Sequence, residues 1–216
     1  MTGTEAVRTR RGAERGPGSR ERILEAASTL LAEGSYAGTS ISAICARAAV
    51  PPTSIYWHFG SKEGLLGVVV EEGADRWFAS LVPLRRPTGT PHERLEQVLD
   101  QLAESLARQP EFLRLLLTLA LERKKTDPAC LRTIRRVRKR ALEGLQAILQ
   151  MAFAAFGPAR ARAAASDLVL FALAFADGAF LAHHIDPRTT DLRKLFAQLR
   201  VALLALGDDL ATRRAR

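Results

Sequence analysis

Residues 51–66 read PPTSIYWHFGSKEGLL, and this stretch decides how the rest of the chain is interpreted. It gathers aromatic and imidazole groups, although the whole chain contains only two Trp and two Tyr. The two prolines suit the first turn of a helix, where the missing N–H costs nothing. Ser61 then begins what looks like another helix, with Lys62 in its first turn. So many hydrogen-bonding aromatic side chains beside a lysine are not what a core requires, and they indicate a binding surface.

A second short helix is predicted just before this stretch. It begins at Thr39 or Ser40 and ends near Ala48, so that only the sequence AAVP separates it from a helix over 52–58. Two short helices joined in this way are the layout of a helix-turn-helix, whose second helix can enter a DNA major groove. In that second helix, small hydroxyl groups able to approach base edges come first, and groups able to hold phosphates follow. They are Thr53 and Ser54, then Tyr56, His58 and Lys62.

The remainder of the chain is predicted to be helical. Apolar residues recur at intervals of three and four rather than two, which indicates an all-α fold of about nine helices with essentially no strands. The first helix takes Ser19 as its N-cap and stops at Gly34. A capping box from Thr90 to Glu93 opens the fifth helix. The last four helices have approximate spans of 110–123, 127–156, 158–185 and 190–206.

The charge of the chain favours an acidic partner. The 216 residues carry a formal net charge of +9, for which nucleic acid is the default candidate. Nine basic groups lie within 123–140 against the single acid Asp127, so nine minus one gives +8 in this segment. On a helix, many of these cations share one face opposite an apolar face. The segment is therefore either a solvated helix face or a site for phosphate or another anion.

The sequence contains no signal for a membrane protein. The longest apolar run, LVLFALAFADGAFLA at 168–182, is too short to span a bilayer and contains Asp177. The amino-terminal residues lack the charged and apolar segments of a secretion signal. We therefore expect a cytoplasmic protein with no membrane partner.

The sequence also contains no signal for catalysis, a metal or a cofactor. Cys45 and Cys130 have no metal-binding spacing. His183 and His184 are adjacent, point about 100° apart on a helix and are better explained as a helix-end pair than as metal ligands. Neither a nucleotide-binding glycine motif nor a plausible nucleophile is present. We expect that the protein is not an enzyme.

Residues 19–66, SRERILEAASTLLAEGSYAGTSISAICARAAVPPTSIYWHFGSKEGLL, resemble the DNA-binding domain of TetR-family transcriptional repressors. The resemblance rests on the first helix ending at Gly34, on GTSISAICARA and on IYWHFGSKEGLL, and the chain length and helix count extend it to the whole protein. It implies that Tyr56, His58 and Lys62 contact the operator backbone, and that Thr39 or Ser40 makes a phosphate contact at the second helix. It also implies that Thr53, Ser54 and Trp57 are the remaining exposed positions of the recognition helix.

The chain departs from the family at the start of the recognition helix. Members of the family usually have Ser or Thr where Pro51 stands, and a polar or small residue where Pro52 stands. The hydroxyl cap is therefore missing, and one possible base contact is lost. Base recognition then depends on Thr53, Ser54 and Tyr56, and the residue at which the helix begins stays open.

The leading interpretation is a ligand-responsive, dimeric repressor. It divides the chain into a disordered basic arm over 1–18, a helix-turn-helix domain over 19–66 and an effector-binding and dimerisation domain over 67–216. By the resemblance, a homodimer binds a palindromic DNA operator and a small effector releases it. Large apolar groups of the middle helices predict a mostly apolar effector, and these groups are Trp77, Phe78, Phe112, Met151 and Phe153. The last two helices carry more apolar surface than one core requires, and their predicted dimer contacts are Leu168, Phe171, Phe175, Leu195, Leu199 and Leu203.

Two other functions stay open at this point. One is a constitutive nucleic-acid-binding protein that uses the basic segment 123–140 without sequence preference. The other is an all-α enzyme, for which the sequence shows no cluster of convergent titratable groups.

Overall fold

The computed structural model describes residues 17–33, 39–81, 89–108, 111–121 and 128–213. Over these ranges the prediction of an all-α fold is confirmed, with nine α-helices, one short 3-10 helix and no strand. The predicted basic arm falls almost entirely outside the described residues, as do Gly34 and the cations at 123–125. The α-helices are α1 Pro17–Glu33, α2 Ile41–Ala48, α3 Pro52–Phe59, α4 Lys62–Ser80, α5 Pro91–Arg108, α6 Glu111–Leu121, α7 Pro128–Ala152, α8 Pro158–Ile185 and α9 Leu192–Arg213.

Two of the predicted helix starts were wrong. Helix α1 begins at Pro17, so Ser19 lies inside the helix, where it is buried, and is not its N-cap. Helix α9 begins at Leu192 because Asp191 caps it, accepting hydrogen bonds from the backbone N–H groups of Arg193 at 2.9 Å and Lys194 at 3.3 Å. The predicted span of 158–185 agrees with α8, whose start is set by Pro158 in its first turn.

The helices form two compact units. The first contains α1 to α3, α4 as far as Asp75, α6, and α7 as far as Arg136. The second contains the rest of α4 and of α7, together with α5, α8 and α9.

The first unit is built around the packing of α1 against α2 and α3. Its largest fully buried side chains come from these three helices and from α4 and α6, and they include Ile23, Ile44, Ile55, Leu65, Leu66, Leu116 and Leu119. Helix α6 also packs on α1, where the Arg114 guanidinium donates to the Leu31 carbonyl oxygen at 2.5 Å. Helix α7 passes so close to α4 that a Cβ added at Gly67 would lie 3.3 Å from Cα of Cys130.

The second unit is built around α9, which packs against both α5 and α8. Helix α5 buries one apolar face, which runs from Leu95 to Leu106. The predicted capping box is also confirmed: Thr90 N–H donates to Glu93 Oε2 at 2.7 Å and Glu93 N–H donates to Thr90 Oγ1 at 3.3 Å. The hydrogen bond from the Thr90 backbone lowers the pKa of the Glu93 carboxyl, because it stabilises the carboxylate.

Helix α8 is the one helix among the described residues that is long and apolar enough to cross a membrane. Only 28% of its most apolar window is buried inside the chain. The apolar sequence of the helix is interrupted by Asp177, whose Oδ2 lies 2.6 Å from the Arg138 guanidinium of α7. Burial raises the pKa of Asp177, and the Arg138 charge opposes that rise.

Candidate nucleic-acid interface

The start of α2 is capped by Ser40. Its hydroxyl oxygen accepts a hydrogen bond from the Ala43 backbone N–H at 3.0 Å, and its backbone is extended, as an N-cap requires. Of the two residues proposed for the phosphate contact, Ser40 is exposed and Thr39 is buried. A contact from the Thr39 side chain is therefore not available in this conformation.

The turn between α2 and α3 depends on a left-handed residue. Ala49 has φ 52° and ψ 51°, and the Val50 N–H donates to the Cys45 carbonyl at 3.1 Å. Nε of Arg22 on α1 donates to the Ala48 carbonyl at 3.2 Å, which occupies one of the acceptors left open at the end of α2. These bonds fix the direction in which α3 leaves the turn.

Helix α3 begins without a side-chain cap. Pro51 is its N-cap, with φ −72° and ψ 154°, and Pro52 is its first helical residue. The structure thus settles the open start of the helix at Pro52. The Ser54 N–H donates to the Pro51 carbonyl at 3.0 Å, so the turn is closed by backbone bonds alone.

One face of α3 points away from the core, and we call it the reading face. It consists of Pro52, Thr53, Tyr56 and Trp57, which lie on one side because they are spaced by one and four residues. Tyr56 is 54% exposed and Trp57 is 62% exposed. The expectation that Ser54 is also exposed was wrong, since it is 1% exposed. Ser54 and Ile55 occupy the opposite side of the helix, which packs into the first unit.

The side chain of His58 on α3 contacts helix α1. Its Nε2 lies 2.8 Å from the Ser19 hydroxyl oxygen, and its ring meets the Trp57 ring edge-on with 4.5 Å between centroids. The side chain is half-buried, and its Nε2 is engaged by Ser19. Sequence reasoning missed Ser19 because its partner lies 39 residues away and no local pattern links them.

Lys62 follows a tight turn between α3 and α4. Ser61, the predicted start, caps α4 from the preceding position, since its hydroxyl oxygen accepts from the Gly64 N–H at 2.9 Å. A Cβ at Gly64 would collide with the Phe59 carbonyl oxygen, so the close approach of the two helices needs a glycine there. The turn places Lys62 in the first turn of α4, where its ammonium group and the helix N-terminus both favour an anion.

The basic segment of α7 is largely engaged within the chain. Arg136 lies 2.7 Å from Glu71, Arg138 pairs with Asp177, and the Arg140 guanidinium lies 4.2 Å from the centre of the Phe78 ring. Arg132 and Arg135 are exposed. A face whose cations are mostly paired is better explained as a solvated helix surface than as a phosphate site.

The predicted effector-binding residues are divided between the two units. Phe112 belongs to the first unit, where it lies against Gly73, whereas the other four belong to the second unit. Trp77 and Phe153 are buried, and the Trp77 and Phe78 rings are 5.0 Å apart. A cavity of about 380 Å³ in the second unit lies elsewhere, between α5 and the connection from α8 to α9. Its polar lining includes Glu104, His183 and Arg193.

The predicted dimer contacts were partly wrong. Leu168, Leu199 and Leu203 are buried within the chain itself, because α8, α9 and α5 pack together. Phe171 is exposed, and Phe175 and Leu195 are half-buried. Other large apolar side chains of the same two helices are exposed, and with Phe171 they form what we call the apolar face. Its members are Leu170, Phe171, Leu181, Ile185, Val201 and Leu206.

The adjacent histidines of α8 agree with the helix-end interpretation. His183 Nδ1 lies 2.8 Å from the Thr190 carbonyl oxygen, which can only accept, so Nδ1 carries the proton. The ring of His184 stacks on Phe180. No group of three or more His, Cys, Asp or Glu residues suited to a metal occurs among the residues with assigned positions.

Residues 23–69 match the family model of bacterial regulatory proteins, tetR family. The chain is also similar to the HTH-type transcriptional regulator UidR of Escherichia coli K12, with 32% identity over 88 residues. That match spans 41% of this chain and 41% of the length of UidR.

Two solved structures share the fold. A TetR-family transcriptional regulator from Agrobacterium tumefaciens gives a TM-score of 0.63 at 23% identity, covering 87% of this chain and 96% of that one. The regulator FadR of Bacillus subtilis, solved with stearoyl-CoA, gives a TM-score of 0.60 at 20% identity, covering 85% and 96%. Residues 23–69 thus match the tetR family of bacterial regulatory proteins, and the described helices share the fold of the two solved regulators.

Proposed function

We propose that the protein is a ligand-responsive transcriptional regulator, acting as a repressor. In this proposal a homodimer binds a palindromic operator in the cytoplasm and leaves it when a small, mostly apolar effector binds. DNA binding is assigned to 19–66, and effector binding and dimerisation to 67–216. The observation that carries the proposal is the exposed reading face of α3, followed directly by Lys62 at the start of α4.

The arrangement supports two kinds of DNA contact. The reading face offers hydroxyl, indole and apolar groups to base edges in a major groove. Tyr56 within this face, and Ser40, His58 and Lys62 outside it, are candidates for phosphate contacts, which fix the orientation of a protein on the duplex. Ser54 and Thr39 are left out of this set because they are buried.

The apolar face supports a homodimer. Six large apolar side chains on two adjacent helices exceed the isolated exposed residues normal for a monomer surface. Pairing α8 and α9 with their two-fold mates would cover this face, and the same pairing accounts for the low burial of α8 without a membrane. A helix-turn-helix dimer reads two half-sites whose centres lie about 34 Å or more apart.

An apolar effector is supported by the aromatic and sulfur-containing side chains of the second unit and by the stearoyl-CoA bound to the similarly folded FadR of B. subtilis. We place the effector near Trp77, Phe78, Met151 and Phe153. Trp77 lies on α4, the same helix that begins with Lys62, so a shift of α4 reaches a phosphate-binding group directly. A hundredfold preference for the DNA-incompetent form shifts the balance by about 2.7 kcal/mol.

The DNA-binding proposal is tested by selecting duplexes from a random pool. We expect one palindromic sequence, bound at least about a thousandfold more tightly than unrelated DNA. Binding that is equally strong on all sequences and only salt-sensitive would instead favour the constitutive nucleic-acid-binding function.

The effector proposal is tested by titrating stearic acid and stearoyl-CoA into the operator complex. Tryptophan fluorescence and operator release are followed together in wild type and in Trp57→Phe, which leaves Trp77 as the only tryptophan. We expect both signals to change at the same ligand concentration. Release without a change at Trp77 would move the pocket elsewhere, and no release would point to a polar ligand or a constitutive regulator.

A further inference from the structure

The recognition helix lacks every side chain that makes bidentate contacts with bases. Its sequence over 52–59 is PTSIYWHF, with no Arg, Lys, Asn, Gln, Asp or Glu. Ser54 is buried, and Nε2 of His58 is engaged by Ser19. What the helix presents outward is therefore the reading face alone.

The chemistry of the reading face selects among the four bases. Arg or Lys reads guanine, Asn or Gln reads adenine, and Asp or Glu reads cytosine, whereas thymine is read by apolar contact with its 5-methyl group. The hydroxyls of Thr53 and Tyr56 can pair with several base edges, so they discriminate weakly. The apolar surfaces of Pro52 and Trp57, and the methyl group of Thr53, match one base-specific feature only.

We infer that α3 reads its half-site chiefly through the 5-methyl groups of thymines, so that the base pairs facing Pro52, Thr53 and Trp57 are A·T or T·A. This inference rests on the proposed function and specifies the class of operator that it recognises. Base pairs outside the reach of α3 are not constrained by it.

The reading face is rigid enough to detect single methyl groups. Pro52 has a fixed backbone angle and a closed ring. The Trp57 ring is held edge-on against His58, at an interplanar angle of 78°, and Ser19 holds His58 in turn. A side chain positioned by this series of contacts loses little conformational entropy on binding. The free energy gained from contact with a methyl group is therefore not offset by the entropy cost of ordering the side chain.

The test uses the full-length protein and the operator selected from the random pool. Each thymine is replaced in turn by deoxyuridine, which removes only the 5-methyl group and leaves pairing unchanged. At one or more thymines of each half-site we expect affinity to fall about three- to fourfold, as the loss of one buried methyl predicts. Deoxyuridine elsewhere in the duplex should have no effect.

A second variant identifies the side chain responsible. In Trp57→Ala the difference between thymine and deoxyuridine should disappear at the thymines that Trp57 contacts, while the dependence of affinity on salt stays unchanged. Thr53→Ser, which removes one methyl but keeps the hydroxyl, provides the matched smaller change should Trp57→Ala fail to fold. Circular dichroism and thermal unfolding check the fold of each variant.

The outcomes separate the inference from the function on which it rests. If no sequence is selected, the proposed operator binding fails. If a palindrome is selected but no deoxyuridine substitution in either half-site changes affinity, or neither variant alters the response, thymine reading by α3 is overturned and operator binding stands.

Discussion

The hydroxyl oxygen of Ser19 on α1 lies 2.8 Å from Nε2 of His58 on α3. Nearby, the guanidinium of Arg20 lies 5.7 Å from the centre of the Phe59 ring. These contacts fasten the end of the recognition helix to the beginning of the first helix. The position of His58, and with it the Trp57 ring, therefore depends on Ser19, which is itself buried.

Replacing Ser19 with Ala should weaken this connection. Because the change leaves a half-buried imidazole nitrogen without its partner, we expect a loss of about 1 kcal/mol in the free energy of unfolding. Operator affinity should fall. The measurements are urea unfolding and binding to operator variants, with exposed Ser42→Ala on α2 as the control. Equal behaviour of the two variants would show that the Ser19 contact has no role.

Lys62→Ala should weaken binding to all DNA sequences alike. Removal of one phosphate contact is expected to reduce the slope of log K against log salt by about 1. Arg132→Ala, an exposed change on α7 in the same unit, is the control and should leave the slope unchanged. The reverse result would assign phosphate binding to the basic segment of α7.

Ala49→Gly should stabilise the protein. Ala49 occupies the left-handed region, which costs a residue with a Cβ roughly 1–2 kcal/mol and costs glycine almost nothing. After the larger entropy of unfolded glycine is counted, we expect a gain of about 0.5–1 kcal/mol in urea unfolding. The control is Ala46→Gly, an exposed change three residues earlier within α2, which should lose about 1 kcal/mol. A loss in both variants would argue against the left-handed turn.

Val201→Glu should dissociate the proposed homodimer. Val201 is 63% exposed on the apolar face of α9, and a carboxylate buried there without a partner opposes pairing. Light scattering at micromolar concentration should give twice the chain mass for wild type and the single mass for the variant. Leu121→Glu is the control, because Leu121 is 88% exposed on α6 of the first unit and is not a member of the apolar face, and the change should keep the dimer mass. A monomeric wild type would remove the homodimer from the proposal.

Asp177 and Asp186 should contribute to the free energy of unfolding with opposite dependences on pH. Burial raises the pKa of Asp177 above its ordinary 3.8, so its favourable contribution is present below pH 3.8 and is lost as pH rises through the raised pKa. The hydrogen bond from Thr189 lowers the pKa of Asp186, so its contribution is present above pH 3.8 and is lost as pH falls through the lowered value. Compared with Asp177→Asn, wild type should lose relative stability as pH rises from 3 to 7. Compared with Asp186→Asn, it should gain. Urea unfolding across this pH range measures both differences, and parallel trends would contradict the assignment.

Local signals in the sequence were sufficient for most helix boundaries. The capping box at Thr90 and the proline at 158 act through bonds and backbone angles within one turn, so the adjacent residues determine them. The prediction that Ser19 is an N-cap was wrong because it also depended on adjacent residues alone. A serine near the start of an apolar pattern is typical of an N-cap, yet here its hydroxyl serves a histidine on another helix.

Tertiary partners could not be predicted from the same patterns. Leu199 and Leu203 were predicted as dimer contacts, because periodicity does not say whether a second copy or the same chain covers an apolar residue. The structure shows that α5 and α8 cover them, and that Val201, between the two, faces outward. The prediction that Ser54 is exposed was wrong for a similar reason. Its exposure depends on where α1 and α2 contact α3 rather than on its own residue type.

The two cysteines of the chain both lie in the first unit, on α2 and α7, and both are buried. Burial raises the pKa of the Cys45 thiol, so the reactive thiolate is scarce as well as shielded. A thiol reagent therefore modifies Cys45 only when the helix-turn-helix opens. The rate of modification reports how often this opening occurs. Saturating operator should slow modification at Cys45, so the natural sequence provides a built-in probe of how often the DNA-binding domain opens with and without DNA.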